Sequence, residues 1–355
     1  MKEQDFAFFK ELVEAPSPSG FEQPAQRICR REMEAVAGEV RTDVMGNVIG
    51  RLTGPEGSLR VMLAGHCDEI GFMVRYIDDN GFLYFAPIGG IDAHLVPGQR
   101  VTIHGAAGPV TGVVGKKPIH LMETKDRETV VKLSQQFIDI GCGSAEDAAK
   151  LVAVGDPATF AVGLERLQGD RVASRAFDDK VGAFIVCQVM KELSRLGSVP
   201  VDLHGVSTVQ EEVGLRGATT STYGVDPHVG IAIDVGFATD FPGVEKKEVG
   251  DFTLGGGPII SRGANINPVL FDLLLQTARE EQIPLQLMGA PRGTGTDANV
   301  MQLSRAGVAT ALIQIPLRYM HSPVEVLSLA DIEATIGLLV ALMPRLAAGG
   351  SFIPN

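Results

Sequence analysis

The chain has no tryptophan and only four tyrosines among 355 residues, which leaves little aromatic surface on which sugar rings could stack. Cysteine is also scarce: Cys29, Cys67, Cys142 and Cys187 are far apart and form no CxxC pair. That spacing argues against a disulfide framework or a structural zinc knuckle, and for reduced thiols in a cytoplasmic protein. Basic residues are outnumbered, 31 against 43 acidic, giving a formal charge of -12. Nucleic acid and anionic membrane surfaces both demand a basic face, so neither is an expected partner. No run of about 18 apolar residues exists to span a bilayer. The start, Met1-Lys2-Glu3-Gln4-Asp5, leads into a charged amphipathic stretch without the apolar core of a secretion signal.

Forty-five per cent of the residues are hydrophobic, enough for a substantial core, and the length suggests about two domains. Phe6, Phe9, Leu12 and Val13 fall at helical spacing within Glu3 to Glu14, before Pro16-Ser17-Pro18-Ser19-Gly20 breaks the pattern. A second helix is expected from about Pro24 to Val36, then a hairpin around Gly46-Asn47 and a buried strand from Leu59 to Gly65. Between about Ile70 and Phe160, short alternating segments are divided by turn signals such as Asp79-Asn80-Gly81 and Pro97-Gly98. This stretch reads as a small β-rich module with one short helix near Ala145 to Leu151. Beyond Ala173 come helices at 180–195, 268–281 and 330–346 and strands at 201–209, 229–233 and 309–315. Alternating strands and helices imply a mostly parallel sheet sandwiched by helices. The expected architecture is one α/β domain, split in sequence by an inserted β module.

Polar residues stand where the apolar strands stop. His66 and Asp68 follow the first; Glu211 and Glu212 follow Val201 to Gln210; Asp234 ends Val229 to Ile233; His321 follows Ala309 to Ile315. In open α/β sheets ligands gather beyond the carboxyl ends of the strands. Asp178-Asp179, just before a helix, can join them. Two imidazoles and three carboxylates can hold a pair of divalent ions, and this donor set suits zinc, cobalt or manganese better than calcium or magnesium. Such ions acidify water and polarise a carbonyl, and a further carboxylate is then needed to carry the proton. Adjacent Glu211 and Glu212 offer one residue for each task. Each feature alone has a plainer reading: Glu-Glu as a solvated charge run, a strand histidine as part of the core, Asp-Asp as a helix cap. It is their shared position at strand ends that points to a metal-dependent hydrolase.

The segments Ala64 to Gly71, Arg175 to Gly182, Gln210 to Gly214, Ala232 to Val235, Gly293 to Ala298 and Arg318 to Pro323 resemble, in order, the motifs of the M42 metallopeptidases. That family holds glutamyl, leucyl and deblocking aminopeptidases of the tetrahedral type. The resemblance implies an α/β dinuclear zinc peptidase fold with an inserted PDZ-like β-barrel. The catalytic domain would comprise 1–69 and 164–355, and 70–163 would be the dimerisation domain. It implies two divalent ions, zinc or cobalt, with His66 and Asp234 at one, Glu212 and His321 at the other, and Asp178 bridging. Glu211 would be general base and then acid, and Asp68 would orient His66. Either aspartate of the pair could be the bridge, with the first favoured; the bond between them is often cis in similar enzymes. Peptides would be the substrates, and dimers would assemble into a dodecamer.

Arg262, Gly295, Thr296 and Asp297 are possible pocket residues, although Gly293 to Asp297 also reads as a tight loop. His94, His104, His120, His204 and His228 have no strand-end partners and are expected to be structural or exposed. Alternatives are a dinuclear amidase or deacylase, a carboxypeptidase, and an endoglucanase, the label some relatives carry. The last would need two carboxylates free to flank a sugar bond.

Overall fold

A computed structural model describes residues 1–197 and 199–354. Its strands, in chain order, begin with β1 (Glu39–Thr42), β2 (Val48–Leu52) and β3 (Arg60–His66). Then come β4 (Gly71–Ile77), β5 (Leu83–Ile88), β6 (Arg100–Gly105), β7 (Gly108–Gly115), β8 (Phe137–Asp139) and β9 (Pro157–Phe160). The rest are β10 (Glu165–Arg166), β11 (Arg171–Ser174), β12 (Asp202–Thr208), β13 (Val229–Phe237), β14 (Ile259–Gly263), β15 (Gln286–Ala290), β16 (Ala309–Leu317) and β17 (Glu325–Ser328).

Eight strands form the main sheet in the order β1-β2-β12-β3-β13-β16-β14-β15. Its centre, β12-β3-β13-β16, is parallel. All four strands are almost wholly buried, and β3, β13 and β16 are nearly continuous apolar runs because helices cover both faces; β12, Asp202–Thr208, is as buried but carries Asp202, His204, Ser207 and Thr208. Towards its edges the sheet turns partly antiparallel, at β1-β2, β2-β12 and β14-β16. β14 and β15 were not expected from the sequence; they are short, and exposed positions interrupt their apolar pattern. Strands β4 to β9 close into a separate antiparallel barrel around Phe72, Phe85, Ile103, Ile138 and Phe160. The fold is thus α/β with a mostly parallel sheet and a closed six-stranded barrel. Among the described residues no helix is long and apolar enough to cross a membrane.

Two features of the sheet make room for a site. β3 pairs with β12 as far as His66↔Thr208 but with β13 only as far as Ala64↔Ala232. β13 meanwhile continues alongside β16 to Phe237↔Leu317, so Asp234 lies inside a longer strand than the sequence suggested. The crevice opens where β3 and β13 part, at the carboxyl ends of the strands. The second feature is the helix Phe177–Arg195, which presses on β3 at a glycine contact. A Cβ on Gly65 would lie 2.3 Å from the Gly182 carbonyl carbon, so only glycine lets the two backbones approach this closely.

Candidate metal centre

The backbone delivers the polar residues through conformations that the sequence does not advertise. Among the described residues eight non-glycine positions have left-handed φ, and five of them, Ala176, Gln210, Leu215, Tyr319 and His321, belong to or flank the segments bearing the site residues. Such strain persists only where surrounding structure holds it, and it concentrates at functional sites. The Asp178-Asp179 peptide is cis.

His66, at the end of β3, is 2% exposed. Its Nδ1 lies 3.0 Å from the Asp68 carbonyl oxygen, which can only accept. One proton therefore sits on Nδ1, while Nε2 points at Asp178 Oδ1 at 3.3 Å and donates to that carboxylate when the ring carries its second proton, the proton a metal ion would displace. His321 repeats the arrangement. Its Nδ1 donates to the Gly90 carbonyl at 2.8 Å, and its Nε2 is 3.3 Å from Asp178 Oδ2 and 3.4 Å from Glu212 Oε1. Asp178 thus turns one oxygen to each imidazole. Two sets of donor atoms, each within 4.8 Å of one another, could hold a metal ion: His66, Asp178 and Asp234, and Asp178, Glu212 and His321. Asp179 points elsewhere, and its carboxylate accepts the His66 and Gly182 N–H groups at 3.1 Å each.

The Asp68 carboxylate is fully buried and accepts three bonds: from Ser19 Oγ at 2.7 Å, Glu211 N at 3.0 Å and Glu212 N at 3.2 Å. Its Oδ1 is 3.5 Å from His66 Nδ1, so the main-chain carbonyl of Asp68 makes the closer contact with the ring. The carboxylate mainly fixes the turn that carries both glutamates. Glu211 is outside both donor sets, with Oε2 3.9 Å from His66 Nε2. His66, Asp178, Glu211, Glu212, Asp234 and His321 line a cavity of about 460 Å³, and the buried Asp68 lies behind its wall.

Electrostatics describe a centre that calls for positive charge. Burial, reinforced by Asp234, Asp297 and Asp178, pushes Glu211 up to about 10 against the pull of His66. Burial and Asp178 raise Glu212 to about 8, and burial raises Asp234 to about 7. Asp178 goes the other way. Burial opposes its ionisation, but hydrogen bonds from His321 and His66 hold its carboxyl well below the usual range. His321 rises to about 9, chiefly through its bond to Asp178. Glu212 Oε1 is buried and has no hydrogen-bond partner among the described residues. An orphaned carboxylate oxygen 3.4 Å from the His321 Nε2 fits an imidazole–carboxylate metal site.

Sequence reasoning missed two groups here. Glu325 opens β17, is 1% exposed, and accepts the His321 N–H at 3.0 Å and the Asp178 N–H at 3.2 Å. Its signal was modest: a charged residue four positions after His321, entering an apolar segment. The other is Glu69, buried against Arg175 and Lys180. All three stand in the motif segments, yet nothing in one sequence reveals that they meet.

Among the other expected pocket residues, Thr296 and Gly295 line the cavity. Asp297 accepts from Thr208 Oγ1 at 2.6 Å. Arg262 lies over the Phe271 ring, 5.6 Å from its centroid, and does not line the cavity. His104 bonds Thr159, His204 contacts Asp202, and the His228 ring accepts from the Arg60 N–H. His94 and His120 are exposed.

Residues 46–338 match the M42 glutamyl aminopeptidase family. The lysyl aminopeptidase of Pyrococcus furiosus is 39% identical over 96% of this chain and 97% of its own length. A TET aminopeptidase structure from a marine-sediment Thaumarchaeota archaeon is 37% identical and covers 97% of each chain with a TM-score of 0.92. The TET1 peptidase of Pyrococcus horikoshii, described as assembling into a tetrahedron or a large octahedral shell, is 32% identical. It covers 96% of this chain and 99% of its own, with a TM-score of 0.86.

Proposed function

The chain belongs to the M42 glutamyl aminopeptidase family and is an aminopeptidase, a peptide hydrolase, and from that premise we propose how its centre works. The paired sites would hold two divalent ions, zinc or cobalt. His66 and Asp234 would hold one, Glu212 and His321 the other, and Asp178 would serve both. The observation that carries this reading is the position of Asp178, the one residue common to both donor sets, with an oxygen turned to each imidazole. When bound, the ions supply a water acidified to near-neutral pKa and polarise the scissile carbonyl.

Glu211 is then the proton carrier. It reaches the cavity wall without belonging to either donor set, so its carboxylate is free to take a proton from the attacking water and pass it to the leaving amine. Its raised pKa means that it serves as a base only when positive charge offsets Asp234, Asp297 and Asp178. Asp68 holds the backbone of Glu211 and Glu212 and so sets where both side chains point. Glu325 ties the backbone of His321 to that of Asp178.

Peptides with a free N-terminus are the proposed substrates. Residues 70–163 are proposed as a dimerisation domain inserted between catalytic parts 1–69 and 164–355, with dimers gathered into a dodecamer. The shells formed by the TET relative support such an assembly. A cytoplasmic location fits four free cysteines. The amidase, carboxypeptidase and endoglucanase alternatives are not favoured by the family match or by the lysyl aminopeptidase relative. The test is hydrolysis of matched free, N-acetylated and C-terminally amidated peptides, before and after chelation and metal return. Cleavage of the N-acetylated peptide, or unchanged activity in chelator, would overturn the reading.

A further inference from the structure

The inserted barrel reaches into one of the two donor sets and leaves the other alone. Gly89 and Gly90 directly follow β5, which ends at Ile88. The Gly90 carbonyl accepts from His321 Nδ1, the bond that aims the opposite nitrogen at Asp178 and Glu212. The same two glycines are packed against both side chains peculiar to that set. A Cβ on Gly90 would lie 3.1 Å from His321 Nδ1, and one on Gly89 would lie 3.1 Å from Glu212 Oε2. Gly89 moreover has φ +73°, which side chains rarely adopt. By contrast, outside the backbone ladder of the main sheet, the hydrogen bonds and close charged contacts of His66 and Asp234, among the described residues, go to Asp68, Asp178, Asp179, Glu211 and Val235. None of those partners belongs to the barrel.

We propose that the Gly89–Gly90 turn of the barrel is a positioning element for the Glu212–His321 metal site alone, so that this ion's affinity depends on where the barrel sits. The inference rests on the two-ion reading above. Groups that orient a metal-ligating imidazole typically change metal affinity 10- to 100-fold when altered. Because coupling is reciprocal, filling that site must also steady the turn.

The clean perturbation is Gly90→Ala. Gly90 has no left-handed φ, so the added methyl acts by crowding the His321 ring rather than by straining the backbone. Gly115→Ala is the control: its Cβ would meet the Phe137 ring at 3.2 Å, an equal crowding within the barrel but away from the centre. Metal-free wild type, G90A and G115A are titrated with Co(II) by calorimetry, with bound metal counted by elemental analysis. The expected result is two ions in wild type and G115A, and one unchanged site plus one weakened roughly 10- to 100-fold in G90A. Two unaltered sites in G90A, or equal weakening of both, overturns the proposal. Fewer than two ions in wild type instead overturns the two-ion reading on which it rests.

Should G90A fail to fold, hydrogen exchange on the wild-type protein decides. Exchange across the Ile88 to Ile91 segment should slow with one of the two Co(II) equivalents, the one that fills the Glu212–His321 site. Slowing shared equally between both equivalents, or none at all, refutes the coupling.

Discussion

Glu69→Gln is expected to destabilise the protein far more than Lys180→Met, and the reason lies in counting buried charge. Glu69 is 2% exposed and carries the only negative charge in a cluster with Arg175 and Lys180, themselves 6% and 0% exposed. Ser17 N also donates to it at 2.9 Å. Burial opposes ionisation of Glu69, but the two cations prevail and hold it down to about 2. Burial lowers Lys180 to about 8, with Glu69 resisting. The cluster carries net charge +1 in wild type, +2 in E69Q and zero in K180M. Removing the single anion strands two buried cations, which costs about 3–5 kcal/mol. At about 2.1 cal/mol/K per residue, 355 residues correspond to roughly 0.7 kcal/mol per degree, so Tm should fall by about 4–7 °C. K180M forfeits bonds to the Val13 and Ala15 carbonyls but leaves Glu69 paired with Arg175, so its loss should be under half as large.

The pH dependence has a definite sign. A carboxyl lowered from 4.5 to about 2 contributes stability fully present above 4.5 and lost as pH falls toward 2. Lys180, lowered from 10.5 to about 8, is instead a burden at neutral pH that lifts as pH rises through that window, because the unfolded chain then binds more protons. Removing Glu69 lowers Lys180 further, so the E69Q deficit should shrink between pH 7 and pH 9. Thermal melts of the three proteins at fixed metal and protein concentration measure this. A Tm change below about 1 °C in E69Q, or a larger loss in K180M than in E69Q, would refute the argument.

Glu211→Gln should lower kcat by about 10²- to 10⁴-fold while keeping both ions, as judged by peptide turnover beside metal content. Asp68→Asn keeps the volume but leaves one acceptor oxygen for the Glu211 and Glu212 N–H groups. Activity should fall without loss of fold, as seen by circular dichroism. Metal affinity should rise with pH, because His321 and Glu212, raised to about 9 and about 8, hold protons that an ion must displace. Calorimetry in buffers of different ionisation enthalpy should accordingly register proton release, and its absence near pH 7 would contradict these protonation states.

Much of the scaffold was legible because the central strands carry their burial in their composition. Val61 to Ala64, Ile231 to Ile233 and Ala311 to Ile313 are apolar without alternation, as a strand covered on both faces must be. The turn signals between Ile70 and Phe160 marked a β-rich insertion for the same local reason, and the polar residues at strand ends stood out against these runs. β14 and β15 escaped notice because edge strands are half exposed and owe their existence to pairing with β16 and with each other. The strands' precise ends were equally hidden. Asp234 lies within β13 because β16 continues beside it, a matter of partner rather than of residue type.

The site divides along the same line. Sequence alone singled out His66, Glu211, Glu212, Asp234 and His321, since residue type and position at the end of an apolar run are local properties, while Asp178 was favoured over Asp179 through the family resemblance. Only the tertiary structure decided which oxygen of Asp178 faces which imidazole, that Asp179 accepts backbone amides, and that Glu325 holds the His321 backbone while Gly90 holds its ring. Gly90 and His321 are 231 positions apart, and Glu69 and Lys180 111 apart. Contacts across such separations arise from how the sheet parts and how closely glycine lets helix and barrel approach, and a single chain of letters does not encode those distances locally.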